Sequence, residues 1–427
     1  MCNYIYTKNM EKEVLKKIII ENQEFVQNRQ IVERNITLDD KLNYVFVGLR
    51  RAGKSYLMFQ YIHKLLKNNG MLIQQMLYIN FEDERISSFQ AQELGLLLDA
   101  YKEMFDYEPI VFLDEIQNIS GWEKFVRRLA DQKYRVFVTG SNAKMLSKEI
   151  HTTLGGRFLI KEVFPFSFDE FLKFHGINLI KNWEYGELRN KVFKLFQTYF
   201  YYGGFAETFG TDEKRQWLNS LYQKILLGDI ISRNEIRNDH AIRILAKKLA
   251  ECIMQPTSLN RLKNIIETAG TPVSRTTMVD YLNYFSDAYM IFGIPNFVNN
   301  LSEKETIKKR YFFDNGILNN FLFDPETKLL ENIVAIHLSK QFGENLFFYN
   351  KNIEVDFFIP SEKTAIQVSY SITNADTENR EVSALIKLSE KFEVEKLYII
   401  TFNEERQINA NNKNISVLPV WKWLLKG

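Results

Sequence analysis

Three short stretches of this chain set residues of suitable type and spacing for phosphate chemistry. The first is Gly48-Leu49-Arg50-Arg51-Ala52-Gly53-Lys54-Ser55. Glycines at its two ends let the backbone turn sharply and bring its N–H groups within reach of phosphate oxygens. Lys54 places a positive charge on β- and γ-phosphates, and the Ser55 hydroxyl is a ligand for Mg²⁺. This is the P-loop pattern. It predicts nucleotide contacts from Gly48, Leu49, Arg50, Arg51, Ala52, Gly53, Lys54, Ser55 and Tyr56. The second stretch is Ile110-Val111-Phe112-Leu113, an apolar run that ends in Asp114-Glu115. An acid pair there suits a Walker B role, with Asp114 holding Mg²⁺ and Glu115 orienting and polarising the attacking water. The third is Arg135-Val136-Phe137-Val138-Thr139, which ends in Gly140-Ser141-Asn142. A polar residue at such a strand end can touch the γ-phosphate and the attacking water, and Asn142 is preferred to Ser141. An ordinary turn and helix cap is the competing reading.

These groups must be held by strands and helices, and the flanking residues supply them. Tyr44-Val45-Phe46-Val47 has the content of a buried strand, and Leu57, Tyr61, Leu65 and Leu66 recur at helical spacing after the loop. Strand, glycine loop and helix N-terminus together favour a bound anion. Met76 to Phe81 reads as a further strand, followed by Glu82-Asp83-Glu84-Arg85. That acidic cluster either supports Mg²⁺ and the attacking water or is a solvated loop. Arg157 opens a strand over Phe158 to Val163. It is a candidate for stabilising transition-state charge, in its own subunit or as an arginine finger in a neighbour, with a structural ion pair as the alternative. Residues 10 to 30 read as a lead-in helix with Val14, Ile18, Ile19 and Phe25 on its apolar stripe.

Composition narrows the class. With 427 residues the chain is too long for one core, so two or three domains are expected. The 45% apolar and 25% charged fractions are those of a soluble globular protein. A formal net charge of +2 makes no overall case for nucleic acid, which would need a local basic face. Cys2 and Cys252 are far apart and have no disulfide or zinc spacing, so a cytoplasmic setting is expected. The first residues lack a signal-peptide core, and no apolar run approaches the ~18 residues of a membrane span.

The rest of the chain divides further. A P-loop core over 1–165 is followed by a small helical lid over 166–238, with Arg233 near its end as a possible second basic finger. Residues 239–325 read as a winged helix-turn-helix: helices from Ile242, Ser258 and Arg275, then two short strands. Arg275 and Thr276 on the third helix, and Lys304, Lys308 and Lys309 between the strands, are offered to a DNA groove and its phosphates. Docking of a protein is the alternative. Residues 326–427 read as a small α/β domain with its own core. Its Glu331, Asp356 and the strand Ala365 to Ser369 suggest a metal-dependent nuclease arrangement. The third strand, however, offers Gln367 and Ser369 where a carboxylate and a lysine are needed, so the site reads as inactive.

Several motifs together resemble a prokaryotic family of AAA-type ATP-binding proteins with a C-terminal DUF4143 domain. They are the P-loop with its paired arginines, Phe112-Leu-Asp-Glu-Ile-Gln-Asn118, Gly121-Trp-Glu-Lys124, Val138-Thr-Gly-Ser-Asn142, Gly203-Gly-Phe-Ala-Glu207, Tyr311-Phe-Phe-Asp-Asn-Gly316 and Glu354-Val-Asp356. The resemblance covers nearly the whole chain. It implies an α/β P-loop NTPase core, a winged helix and a nuclease-like domain. It also implies ATP and Mg²⁺ as ligands, with catalytic roles for Lys54, Glu115, Asn142 and Arg157 and metal ligation by Ser55 and Asp114. The expected function is a Mg²⁺-dependent ATPase that couples nucleotide state to its C-terminal domains. The alternative is a nucleotide-gated switch that binds duplex DNA or a protein. Homo-oligomerisation is left open, because such ATPases use neighbouring arginines.

Overall fold

The computed structural model describes residues 2–141 and 152–426, with side chains described from residue 12 onward. The chain divides into two compact units, residues 1–164 and 165–427.

The first unit is built on a parallel sheet. Its strands are β1 (Asn43–Val47), β2 (Met76–Asn80), β3 (Ile110–Asp114), β4 (Val136–Gly140) and β5 (Phe158–Glu162), in the order β2-β3-β4-β1-β5. β1 to β4 are buried along almost their whole length, and so they read as continuous apolar runs rather than alternating ones. The aromatic content goes into this core. Phe137 on β4 stacks on Phe112 at 4.9 Å between centroids and meets Tyr61 at 4.8 Å. Because β4 lies between β1 and β3, the loop after β1 and the acid pair after β3 emerge at the same edge, about 10 Å apart.

The helices of this unit include α1 (Cys2–Gln27), α2 (Lys54–Asn68), α3 (Gly95–Met104) and α4 (Trp122–Asp131). α1 buries Leu15, Ile18, Ile19 and Val26, whereas Val14 and Phe25 are exposed. The expected stripe is thus rotated by about one position. The rotation turns Asn22 and Gln23 toward the sheet, where they donate to Tyr78 O (3.1 Å) and Met76 O (2.9 Å). Those carbonyls belong to the edge strand β2, whose unpaired backbone groups α1 therefore satisfies.

The second unit holds two sheets. One is antiparallel, with β6 (Thr257–Ser258), β7 (Ile291–Pro295) and β8 (Ile307–Phe312) in the order β6-β8-β7. The helices Asp239–Glu251, Leu259–Thr268 and Arg275–Asp287 precede β7. The other sheet is mixed and six-stranded: β9 (Phe347–Asn350), β10 (Glu354–Ile359), β11 (Thr364–Val368), β12 (Lys396–Thr401), β13 (Arg406–Ala410) and β14 (Lys413–Pro419), in the order β13-β14-β12-β11-β10-β9. The helix Ala375–Lys391 buries Leu385 and Leu388 with Val355, Ile399 and Val417 of that sheet. The β13–β14 hairpin goes beyond the sequence reading. Its turn residues Asn411 and Asn412 have φ of 49° and 58°, a conformation that asparagine tolerates and that matches the twist of two-residue hairpins.

Two of the resemblance motifs meet inside this unit. The Asp314 carboxylate accepts from Gly204 N (2.8 Å), Gly316 N (2.8 Å) and Ile317 N (3.2 Å). A Cβ on Gly203 would lie 2.2 Å from that carboxylate, which is why a glycine stands there. Asn332 extends the network, donating to Asn315 Oδ1 (2.9 Å) and Phe312 O (3.1 Å) and accepting from Phe312 N (2.8 Å). These motifs hold the interior together.

The lysines offered to DNA are already engaged. Lys304 lies over the rings of Phe297 (5.8 Å) and Phe347 (5.3 Å), and Lys308 pairs with Glu305 (3.1 Å). Lys309 is fully buried among carboxylates. The expectation is corrected for Lys309 alone, which β8 turns into its own unit; Lys304, on the helix Leu301–Thr306, and Lys308 are partly exposed. Arg233 likewise pairs with Asp229 (3.2 Å), one turn earlier along a π-helical stretch, Ile225–Ser232.

Candidate nucleotide site

The site begins where β1 ends. Gly48 packs against the backbone beside β5, and a Cβ on it would lie 2.1 Å from Val163 O. Arg51 and Gly53 take positive φ (62° and 93°), so the loop curls before α2 starts at Lys54. Lys54 is buried and folds back over the loop, donating to Gly48 O and Leu49 O, both at 3.1 Å. Leu49 and Ala52 are buried, Arg51 and Tyr56 are exposed, and Arg50 reaches Glu82 at 3.2 Å. Two acids of the cluster after β2 are thus in ion pairs, Glu82 with Arg50 and Asp83 with Arg85 at 2.7 Å.

At the end of β3, Asp114 is buried and accepts from Tyr78 Oη (2.7 Å), from the Thr139 hydroxyl and from Ser55. Tyr78 and Thr139 come from the strands on either side, β2 and β4. Burial raises the Asp114 pKa above the ordinary carboxylate range, and the neighbouring Glu115 charge adds to the rise. A carboxylate and a hydroxyl pointing together in a buried, charge-deficient spot fit Mg²⁺, which takes oxygen ligands and keeps some of its waters. Glu115 follows with φ of 52°, and its N–H donates to Thr139 Oγ1 at 2.9 Å. Its carboxylate lies 3.9 Å from Lys54 Nζ and accepts from Gln117 Nε2. Lys54, Ser55, Asp114 and Glu115 therefore converge at one edge of the sheet.

Two other expected site residues do not join them. Arg157 precedes β5, at the amino end of the strands, where its carbonyl accepts from Asn43 Nδ2 and its side chain pairs with Asp131 at 2.5 Å. The parallel register, Asn43 with Phe158 through Val47 with Glu162, puts the length of β5 between Arg157 and the P-loop. Action on a nucleotide in its own subunit is therefore corrected to the ion-pair alternative. Asn142 lies outside the described residues.

Arg34 is a residue that the motifs do not flag. It is buried, donates through Nη1 to Ala52 O (3.0 Å) and through Nη2 to Phe164 O (2.8 Å), and is bracketed by Gln60 through its own backbone N and O (2.8 and 3.1 Å). It braces the P-loop carbonyl from below. No motif carries that signal, because an arginine before β1 has no fixed spacing to the loop. Thr139 was more accessible: once β4 flanks β3, the register sets it beside Asp114, whereas Tyr78 pairs with Phe112 and reaches Asp114 only through its long side chain.

Sheet order, loop and acid pair together define a P-loop nucleotide-binding fold. The AAA domain family model matches residues 40–172, and a domain of unknown function, DUF8612, matches residues 193–328. The second match falls where DUF4143 was the implied family. The uncharacterized protein MJ1544 of Methanocaldococcus jannaschii is 35% identical over 97% of this chain and 96% of its own length. An uncharacterized protein of Haemophilus influenzae is 28% identical over 96% of this chain and 100% of its own. This chain belongs to the family of the M. jannaschii protein. Among solved structures, a Walker-type ATPase of Pyrococcus abyssi covers 69% of this chain and 99% of its own at 14% identity, with a TM-score of 0.39. Cdc6p of Pyrobaculum aerophilum covers 69% and 88% at 12% identity, with a TM-score of 0.26. Likenesses that slight do not bear on function.

Proposed function

We propose that this protein binds ATP with Mg²⁺ and hydrolyses it, and that the nucleotide state acts on the second unit. The convergence of Lys54, Ser55, Asp114 and Glu115 carries this reading. The loop backbone and Lys54 bind the phosphates, with Lys54 leaving two carbonyls to do so. Ser55 and Asp114 would hold Mg²⁺, which when bound neutralises charge on the phosphate oxygens. Glu115 orients water and takes up its proton, and Thr139 fixes the Glu115 backbone. The test is steady-state release of phosphate with Mg²⁺. Wild type is expected to turn over, and Glu115→Gln to bind ATP with turnover lower by about 10²–10⁴-fold. Normal turnover in Glu115→Gln removes the assignment.

The switch reading is favoured by one observation. Gln117 holds the Glu115 carboxylate and also reaches Ser141 Oγ at 3.4 Å, so the base is tied down in this arrangement. Slow turnover with a long-lived ATP complex follows from it.

For the second unit we infer a winged helix over 239–325, a nuclease-like domain over 326–427 and a lid over 166–238. The order of helices and the β6-β8-β7 sheet support the winged helix. A protein partner is favoured over duplex DNA. On the helix Arg275–Asp287 the exposed residues are Arg275, Thr276, Asp280, Asn283 and Ser286, one base against one acid. Such a face offers phosphates little. Stimulation of turnover by duplex DNA at low salt would reverse that preference.

A further inference from the structure

Away from the nucleotide site the second unit buries another lysine. Lys309 on β8 is 0% exposed. Its Nζ lies 2.9 Å from Asp356 Oδ1, 3.0 Å from Glu354 Oε1 and 3.5 Å from Glu331 Oε1. The lysine comes from the three-stranded sheet. The acids come from β10 and the helix Glu326–Phe342.

The same carboxylates are those that the sequence sets in a nuclease-like metal arrangement, and with Lys309 among them they leave no place for a metal. Gln367 on β11 is engaged at both ends of its amide. Its Oε1 accepts from Asp356 N (2.8 Å), while its Nε2 donates to Glu354 O (3.1 Å) and Glu381 Oε2 (2.8 Å). Ser369 Oγ donates to Ser371 O at 3.0 Å. The second Asp356 oxygen accepts from Val368 N (2.9 Å), and Glu331 accepts from Tyr311 Oη (2.6 Å). Among the described residues no group of three or more His, Cys, Asp or Glu is arranged to hold a metal ion.

We propose that the Lys309 ammonium is the resident cation of this cluster, standing where a divalent ion would stand and fastening the three-stranded sheet to the six-stranded one. Charge supports it. Burial works against the ammonium, but Glu331, Asp356 and Glu354 outweigh burial and push its pKa up. Burial pushes the Glu331 pKa up as well, against the pull of Lys309. Glu354 is half-exposed, so water screens the remainder. A divalent ion would have to evict a charged lysine and would find one carboxylate replaced by an amide, a poorer ligand.

The segment after β7 makes the same seam. Phe297 N donates to Phe348 O at 2.8 Å. Asn296 Nδ2 donates to Asn350 O (2.8 Å), and Asn350 N returns a bond to Asn296 Oδ1 (3.1 Å). The Phe297 ring then meets Phe358 at 5.0 Å and Phe392 at 5.4 Å. The segment after β7 is thus tied to β9 by one isolated bridge and the Asn296 amide.

Mn²⁺ titrated into the nucleotide-free full chain, with free ion read by its paramagnetic resonance, tests the proposal. Wild type and Asp356→Asn are expected to bind the same amount of Mn²⁺. Lys309→Ala is expected to bind about one more ion per chain, and Lys309→Ala/Asp356→Asn to lose that ion again. A wild-type ion that Asp356→Asn removes overturns the proposal, as does a folded Lys309→Ala that gains none. Should Lys309→Ala fail to fold, the pair of wild type and Asp356→Asn still decides: equal binding supports the resident lysine and reduced binding overturns it.

Discussion

Lys54 and Lys309 are both buried lysines near carboxylates, and the partners of each amine set them apart. Lys54 donates to two backbone carbonyls of its own loop, with Glu115 out at 3.9 Å. Backbone carbonyls are neutral, and in the proposed function a phosphate takes their place. Lys309 has three carboxylates within 3.5 Å and a tyrosine-held glutamate among them. An incoming group would have to offer more than those charges. A lysine parked on carbonyls is poised for exchange, whereas one enclosed by acids is part of the frame.

The comparison is sharpest when both lysines are removed. Lys309→Ala strands buried carboxylates, and we expect a loss of about 3–5 kcal/mol of stability with nucleotide affinity kept. Lys54→Ala should do the reverse: about 2–5 kcal/mol of ATP affinity lost, with the thermal midpoint of the nucleotide-free protein hardly moved. Calorimetric unfolding and a nucleotide-binding titration on both variants check this. If Lys309→Ala lost affinity and Lys54→Ala lost stability, the distinction between the two sites would fail.

Arg34→Met comes next in size. It removes the donors to Ala52 O and Phe164 O while keeping an aliphatic stem. We expect about 1.5–3 kcal/mol of lost interaction, seen chiefly as weaker ATP binding because the loop is no longer braced. An unchanged affinity with a lowered midpoint would make Arg34 a support of the unit alone.

What the sequence made legible follows from how local each signal is. The P-loop and the acid pair are contiguous motifs on continuous apolar strands, so Lys54, Ser55, Asp114 and Glu115 could be read directly. Lys309 could not, because its nearest partner, Asp356, is 47 residues away on another sheet. An exposed-looking Lys308-Lys309-Arg310 run gives no hint that its middle residue turns inward. Arg157 misled for the opposite reason: its neighbour β5 is at the P-loop, but a parallel strand has two ends and the arginine is on the wrong one. The Asp314 network was visible only as quoted motifs, since its glycines and acid lie 110 residues apart.

The smallest effect concerns pH and concerns the frame alone. His337 sits against Trp423 at 4.6 Å, and Gln341 Nε2 donates to its Nε2 at 3.1 Å, which requires the neutral ring. Burial, with the charge of Lys340 second, lowers its pKa to about 4 from the ordinary 6.5. Between those values the folded state holds fewer protons than the unfolded chain. The stability involved is fully present above about 6.5 and is lost as pH falls toward 4. Asp314 acts with the opposite sign, because burial pushes its pKa up to about 6, so wild type alone mixes the two. The difference between wild type and His337→Phe isolates the histidine. Going from pH 7 to pH 5, wild type should lose on the order of 1 kcal/mol more than the variant. Equal losses would mean that the ring is already free to protonate in the fold. ATP affinity should follow neither curve, since His337 belongs to the same framework as Lys309 and not to the loop that Lys54 serves.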